Sequence, residues 1–436
     1  MYWWRNSPIA TLGVAILIAV ALAPSALANP AQDVVRDPTL PQDAKGLDFE
    51  IGRALFDRHW AAAPASTQAA DGLGPLFNAR ACVSCHPGGG RGVPFDKLGA
   101  TLPALLFRLG THNAEGTAAG DPIYGQQIQG QSVAGISAEA TASVRFETRK
   151  VTLADGTVVE LRQPTARLDK LAYGDLASGT VVSPRLATAI HGIGLLEKIP
   201  ESAILANAHP GDGKPNYVID PISGKRMLGR FGWKASAPSL EVQDAKALDL
   251  DIGLSNPVYR DAFGDCTKRE PDCLKMPTGA SAQFEGLEVP SSLTRLIDRF
   301  VGEAMLPPVK PAANAEAGRA IFTDAGCAAC HTPSFKLADG RNIAPYTDLL
   351  LHDMGMGLAD HMKEGEASGR DWRTAPLWGT GQALRVGNPG LLHDGRARNV
   401  LEAILWHDGE AAKARQHVEQ LSAPDRQALI DFIGSL

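Results

Sequence analysis

The sequence predicts a mainly α-helical fold, in which two related helical domains flank a segment containing β-hairpins. Three observations predict it. The phrase Gly-Arg-Ala-Leu-Phe at residues 52–56 recurs as Gly-Arg-Ala-Ile-Phe at 318–322. A Cys-x-x-Cys-His frame follows each copy, at 82–86 and 327–331. Between them, "VRFETRKVTLADGTVVELRQ" alternates and breaks at Asp155-Gly156, a favoured hairpin turn. The 436 residues suffice for two or three domains, and 44% hydrophobic with 21% charged residues is an ordinary globular composition. A formal charge of −6 argues against nucleic acid or anionic lipid as a partner. The 45 glycines and 30 prolines predict many loops, and 6% aromatic content leaves room for a large non-protein group in the core.

Residues 1–28 read as a secretory signal peptide. "MYWWRN" carries one positive charge, "IATLGVAILIAVALA" is apolar, and "ALA" ends at Ala28 as a small-x-small cleavage site. The alternative is an uncleaved anchor, since the apolar run approaches spanning length. No other stretch is apolar enough to span. The mature protein is therefore expected in the periplasm, without membrane contact beyond this segment.

The first domain, 29–130, opens with "EIGRALFDRHW" as a helix. A loop rich in Ala, Gly and Ser separates that helix from Cys82, Cys85 and His86. Export would ordinarily turn cysteine pairs into disulfides. Yet each of the two pairs is followed at once by histidine, the frame that attaches c-type haem. From this chain's composition one such frame arises by chance with a probability of roughly 0.002, so two are not accidental. A structural zinc site wants four closed ligands, and thiol redox chemistry has no use for the second histidine. Two residues between the thiols let both sulfurs reach the vinyl groups on one porphyrin edge, with the next imidazole under the iron. The expectation is two covalently bound haem c groups. Cys82, Cys85, Cys327 and Cys330 attach them, and His86 and His331 are the proximal iron ligands.

The middle segment, 131–289, carries the alternating stretch and a second predicted hairpin around Ser223-Gly224. Its length of well over 100 residues suits a pocket-forming role better than a spacer. Cys266 and Cys273 are expected as a loop disulfide in an exported protein, with a redox-active dithiol as the alternative. The last domain, 290–436, starts on a helix with Leu293, Leu296, Ile297, Phe300 and Val301 on one face, capped by Ser291 or Ser292. It ends on a helix capped at Ser422, with Leu429, Phe432, Ile433 and Leu436 inward. Asn399 and Glu402 form a capping-box pattern, which puts Val400, Ile404 and His407 on one stripe. A histidine there is either a core residue bonded to a carbonyl or a sixth iron ligand. The nearby frame favours the ligand, so His407 joins His86 and His331 as a metal-binding candidate.

The stretches "TDLLLHDMGMGLADH", "WRTAPLWGTG" and "LLHDGRARNVLEAILWHDGEA" resemble the bacterial di-haem oxidoreductases, a family of thiol oxidoreductases and peroxidase-like proteins. That family is itself similar to the di-haem cytochrome c peroxidases. The resemblance extends over "ADGLGPLFNARACVSCH", "HGIGLLEKIPE" and "GRFGWKA". In the peroxidases an "HDG" histidine stands fourteen residues before the methionine ligand of the electron-transfer haem; His393 plus fourteen is His407. The resemblance thus implies a bis-histidine second haem, of lower potential than a Met/His one. It also implies a reactive first haem, with hydrogen peroxide as a substrate and a small redox protein or other electron donor or acceptor as partner. The distal Gln and Glu motif of the peroxidases has no counterpart after His86. His112, His191 and Glu197 are the candidates for acid–base work, and His191 and Glu197 are taken as the catalytic pair. Trp372, Trp378 and Trp406 are expected against the haems, with one of them or Trp233 as a relay. His352, His361, Arg396 and Arg398 are further candidates for flanking the second haem. The alternative function is a non-enzymatic electron carrier with both irons six-coordinate.

Overall fold

Helix Lys45–Asp57 crosses helix Ser291–Glu303 at Gly52, where an added Cβ would lie 2.0 Å from the Leu296 carbonyl oxygen. Phe49 and Phe56 each pack on Phe300 at 5.1 Å between ring centroids. The second copy of the phrase does the same. Helix Ala315–Asp324 crosses helix Ala423–Ile433 at Gly318, 2.2 Å from the Ala428 carbonyl oxygen, and Phe322 meets Phe432 at 5.5 Å. Glycine is required at both crossings because the neighbour is backbone, which has nowhere to move. Replacing Gly318 with alanine should lower stability by about 1–3 kcal/mol through overpacking. Gly46→Ala, whose Cβ would meet only Arg36 Nη1 at 3.4 Å, should be neutral or stabilising. Thermal unfolding of the two variants checks the contrast.

This computed structural model describes residues 34–41, 43, 45–112, 118–307, 315–385 and 390–436. The predicted signal peptide lies outside the described residues. Helix makes up 30% and strand 22%, so the fold is mixed α and β rather than mainly α. The helical periodicity is short-lived: five of the eleven described α-helices have six residues or fewer, and long loops join them. Strand content was missed where proline disguised it. Strand Val181–Leu186 contains Pro184, yet it pairs antiparallel with Leu105–His112, from Val181 opposite Gly110 to Leu186 opposite Leu105. Proline is tolerated because Val181–Leu186 is an edge strand of a three-stranded sheet.

Both predicted hairpins form. Thr141–Thr152 pairs with Val158–Asp169 over twelve positions, turning through Gly156 at φ +82°. Tyr217–Ile219 pairs with Arg226–Leu228 across Gly224. Asp155 at the long hairpin's tip bonds Arg426 at 2.7 Å, which ties the hairpin to the terminal helix. Helix 291–303 begins after Pro290 with no side-chain cap, so neither Ser291 nor Ser292 caps it. Because this helix completes the core of helix 45–57, a boundary at residue 290 cuts through one packed unit. A separate cluster of Phe322, Tyr346, Val400, Val418, Leu429 and Phe432 forms the second core. Cys266 and Cys273 are joined as a disulfide with 6.3 Å between Cα atoms. Asp265 Oδ2, beside it, accepts the Gln126 and Gln127 amides, which pins the loop down.

Candidate functional site

Each Cys-x-x-Cys-His frame closes a single turn. His86 N–H donates to Cys82 O and His331 N–H to Cys327 O, both at 2.9 Å. The turn delivers two thiols and an imidazole to one cavity wall. The first cavity, about 280 Å³, is bordered by Cys82, Cys85, His86, His191, Trp378 and Asp251 among others. The second, about 400 Å³, is bordered by Cys327, Cys330, His331, His352, His393 and His407. Phe56 packs 6.2 Å from His86 and Phe322 6.3 Å from His331, so the repeated phrase positions each histidine in the same way.

The imidazoles are held alike. His86 Nδ1 donates to Thr188 O at 2.6 Å, His331 Nδ1 to Tyr346 O at 2.9 Å, and His407 Nδ1 to Ala403 O at 2.7 Å. In all three the other ring nitrogen, Nε2, has no hydrogen-bond partner among the described residues. A backbone carbonyl on Nδ1 fixes the tautomer that leaves Nε2 as a metal donor. Burial pushes His86 and His331 down to about 4 and lowers His407, so each is the neutral, ligating form at physiological pH. His407 is set by its helix: Asn399 Oδ1 accepts the Glu402 amide at 2.9 Å and starts helix Val400–Leu405. His407 then follows the helix end on the cavity side.

The four frame cysteines are free thiols. Burial, with Asp244 and Asp251 nearby, pushes Cys82 up to about 12; burial also raises Cys85 and takes Cys327 to about 11. Such thiols are not the low-pKa thiolates of disulfide exchange. The donor set therefore fits porphyrin: two thiols on one edge, one free imidazole nitrogen, and an apolar cavity lined in part by Leu106, Leu250 and Ile252.

Other expectations fare unevenly. His191 borders the first cavity, with Nε2 at 3.2 Å from Trp378 O and Nδ1 buried without a partner; burial pushes it down to about 4. Glu197 borders neither cavity: it is exposed and accepts the Leu240 amide at 2.8 Å, capping a helix. It cannot reach a reacting group there. Strand Leu105–His112 ends at His112, whose side chain is outside what the structure describes. His352 borders the second cavity, but Asp348 engages Nε2 at 2.9 Å and Glu410 engages Nδ1 at 2.7 Å. Against its burial, the bond from Asp348 holds the His352 imidazolium up to about 11, so it is no ligand. His361 is exposed. Arg396 and Arg398 pair with Asp394 and Glu402, away from both cavities. Trp372 faces the second cavity and Trp378 the first, whereas Trp406 faces neither. Trp233 borders both.

The sequence reading missed His393 as a cavity residue; it stacks on Trp372 at 3.7 Å with an 11° interplanar angle. It also missed a polar cluster on the first cavity. Arg185 bonds Glu364 at 2.9 Å, and Arg108 and Lys246 lie within their field. Against burial, these cations hold Glu364 well below the usual carboxylate range. Arg108, then burial, pushes Lys246 down to about 8. These residues come from four distant segments, so no local pattern announces them.

The family model described as "Di-haem oxidoreductase, putative peroxidase" matches residues 126–436, a span that holds the second frame and His407 and begins after the first frame. No curated protein matches the sequence. A Kuenenia stuttgartiensis hydrazine synthase structure, determined under xenon pressure, aligns over 99% of this chain and 100% of that one. Its identity is 12% and its TM-score 0.39, too low to bear on fold or chemistry. With more than half of the chain matched, and two cavities each furnished with a free imidazole donor, the protein belongs to the di-haem oxidoreductase family and is a haem-dependent oxidoreductase.

Proposed function

We propose that this protein is a periplasmic oxidoreductase with two covalently attached haem c groups, and that it acts as a peroxidase. Cys82 and Cys85 hold the first and Cys327 and Cys330 the second. One observation carries the division of labour. The second cavity presents His331 and His407, each with a free Nε2, whereas the first presents His86 with a free Nε2 and His191, whose Nε2 is held by Trp378 O and whose Nδ1 is unpartnered. Two histidine donors would close a bound haem to substrate and suit electron transfer; a single one would leave it accessible. When bound, haem supplies an iron that exchanges electrons and, at the open position, takes a small oxygen-containing ligand.

The chain's own residues supply the rest. His191, on the first cavity, has an unpartnered Nδ1 and is neutral at physiological pH, so it can accept a proton from peroxide. Removing that group as His191→Gln should cut the peroxide-dependent rate on the order of 10²-fold or more while leaving both visible spectra intact. A rate within twofold of the parent would remove His191 from the reaction. Trp233 borders both cavities and gives the route between them an aromatic step. A small redox protein is the expected electron donor. Export rests on the N-terminal segment; among the described residues no helix is long and apolar enough to cross a membrane.

Electron paramagnetic resonance of the oxidised protein tests the assignment. One low-spin bis-histidine signal together with one high-spin signal that changes on adding hydrogen peroxide is the expected spectrum. Two low-spin signals indifferent to peroxide would make the protein an electron carrier instead.

A further inference from the structure

The two cavities share a wall, and its charged members are arginines. Arg91, Trp233 and Arg373 border both, together with Ala375 and Pro376. Arg91 Nε donates to Gly390 O at 2.7 Å and Nη2 to Leu392 O at 2.5 Å, with its guanidinium 5.2 Å from the Trp233 ring centre. Arg373, 8% exposed, donates from Nε to Gly232 O at 2.9 Å and from Nη1 to Thr374 O at 3.2 Å. All of these acceptors are neutral carbonyls. Among the described residues neither arginine forms an ion pair, and Arg91 Nη1 and Arg373 Nη2 have no partner.

The nearest acids are already committed. Asp394, whose field reaches Arg91, is bound by Arg396 at 2.7 Å. Asp348, whose field reaches Arg373, holds His352 at 2.9 Å. Burial pushes both guanidiniums down to about 10, which still leaves them charged at any physiological pH. Arg373 is buried and Arg91 half-buried; a desolvated cation without a counter-ion is expensive, and arginine does not escape by losing its proton. The carbonyls fix each fork in place while leaving donors free toward the cavities. That is a built site for an anion, and the fork suits a carboxylate.

We infer that Arg91 and Arg373 form a clamp for haem propionates, shared between the two prosthetic groups across the wall that carries Trp233. The inference rests on the two-haem reading above. Because each arginine borders both cavities, each sets the charge at both irons: a nearby cation disfavours the oxidised, more positive state. Losing one cation should therefore lower both midpoint potentials together.

The test uses the full mature chain, with haem content read first. If the parent carries fewer than two haems, the functional reading fails and the clamp fails with it. Given two haems, Arg373→Gln and Arg91→Gln are titrated by spectroelectrochemistry. The expected result is a downward shift at both centres, about tenfold in each reduction equilibrium, or about 59 mV for one electron. Arg373→Lys and Arg91→Lys, which keep the charge, should stay close to the parent. Arg167→Gln, at an exposed ion pair with Asp169 that borders neither cavity, is the unshifted control. Two-haem glutamine variants whose potentials stay put, or shift at one centre only, overturn the clamp. If the glutamine variants fail to load two haems while the lysine variants load them, the charge requirement stands. If lysine and glutamine fail alike, charge is not what the wall provides and the clamp is wrong.

Discussion

Replacing Cys82 and Cys85 with serine should leave one covalent haem per chain of the two proposed, the one on Cys327 and Cys330. Haem staining of the denatured chain falls by half, and its mass falls by one porphyrin. The effect extends beyond attachment because the first frame faces a cavity of about 280 Å³. Left unfilled, that space deprives its apolar lining, Leu106, Leu250 and Ile252 among it, of a packing partner. The core of helices 45–57 and 291–303 should therefore melt early or not assemble. The second core, around Phe322 and Phe432, has its own cavity and should keep its haem. Differential scanning calorimetry of the double variant checks this: one transition lost and one retained is expected. Unchanged haem content would mean that these thiols do not attach it.

Methionine at position 407 should raise the midpoint potential of the second haem by on the order of 0.1 V, well inside the ~0.8 V range that axial ligands command. Thioether sulfur favours the reduced iron relative to imidazole, and His407 Nε2 faces the same cavity as His331 Nε2. The packing supports a clean substitution. His407 follows a helix whose start is fixed by Asn399 and Glu402, and methionine has the reach and flexibility to fill the site. The first haem should move little, since His407 borders only the second cavity. Potentiometric titration reads both centres at once. An unmoved second potential removes His407 from the iron.

The features legible in the sequence were those written locally. The Cys-x-x-Cys-His frames fall within one turn, so spacing alone delivers thiols and imidazole together. The phrase ending in Phe56 and Phe322 encodes a glycine crossing and an aromatic contact four residues apart, on one helical face. Asn399 and Glu402 announce a helix start, and His407 follows from it. The hairpin turns at Gly156 and Gly224 were equally plain.

What escaped was set by tertiary contact. Pro184 hides an edge strand, and many brief strand pairings leave no period to read, so the sequence suggests a mainly α fold where the structure is mixed. Glu197 stood six residues from His191 in sequence, yet the short helix Ile193–Glu197 turns it to solvent. Arg91 and Arg373 meet at one wall across 282 positions, and Arg108, Arg185, Lys246 and Glu364 gather from two strands, a helix and a loop. No spacing rule predicts such meetings. Burial without a counter-ion is visible only once the chain is folded.

Intact mass spectrometry of the denatured, exported protein is the most direct test of the account. A chain heavier than its mature polypeptide by two porphyrins, with the added mass on peptides 82–86 and 327–331, is the predicted result. One porphyrin, none, or loss of both on denaturation would contradict it.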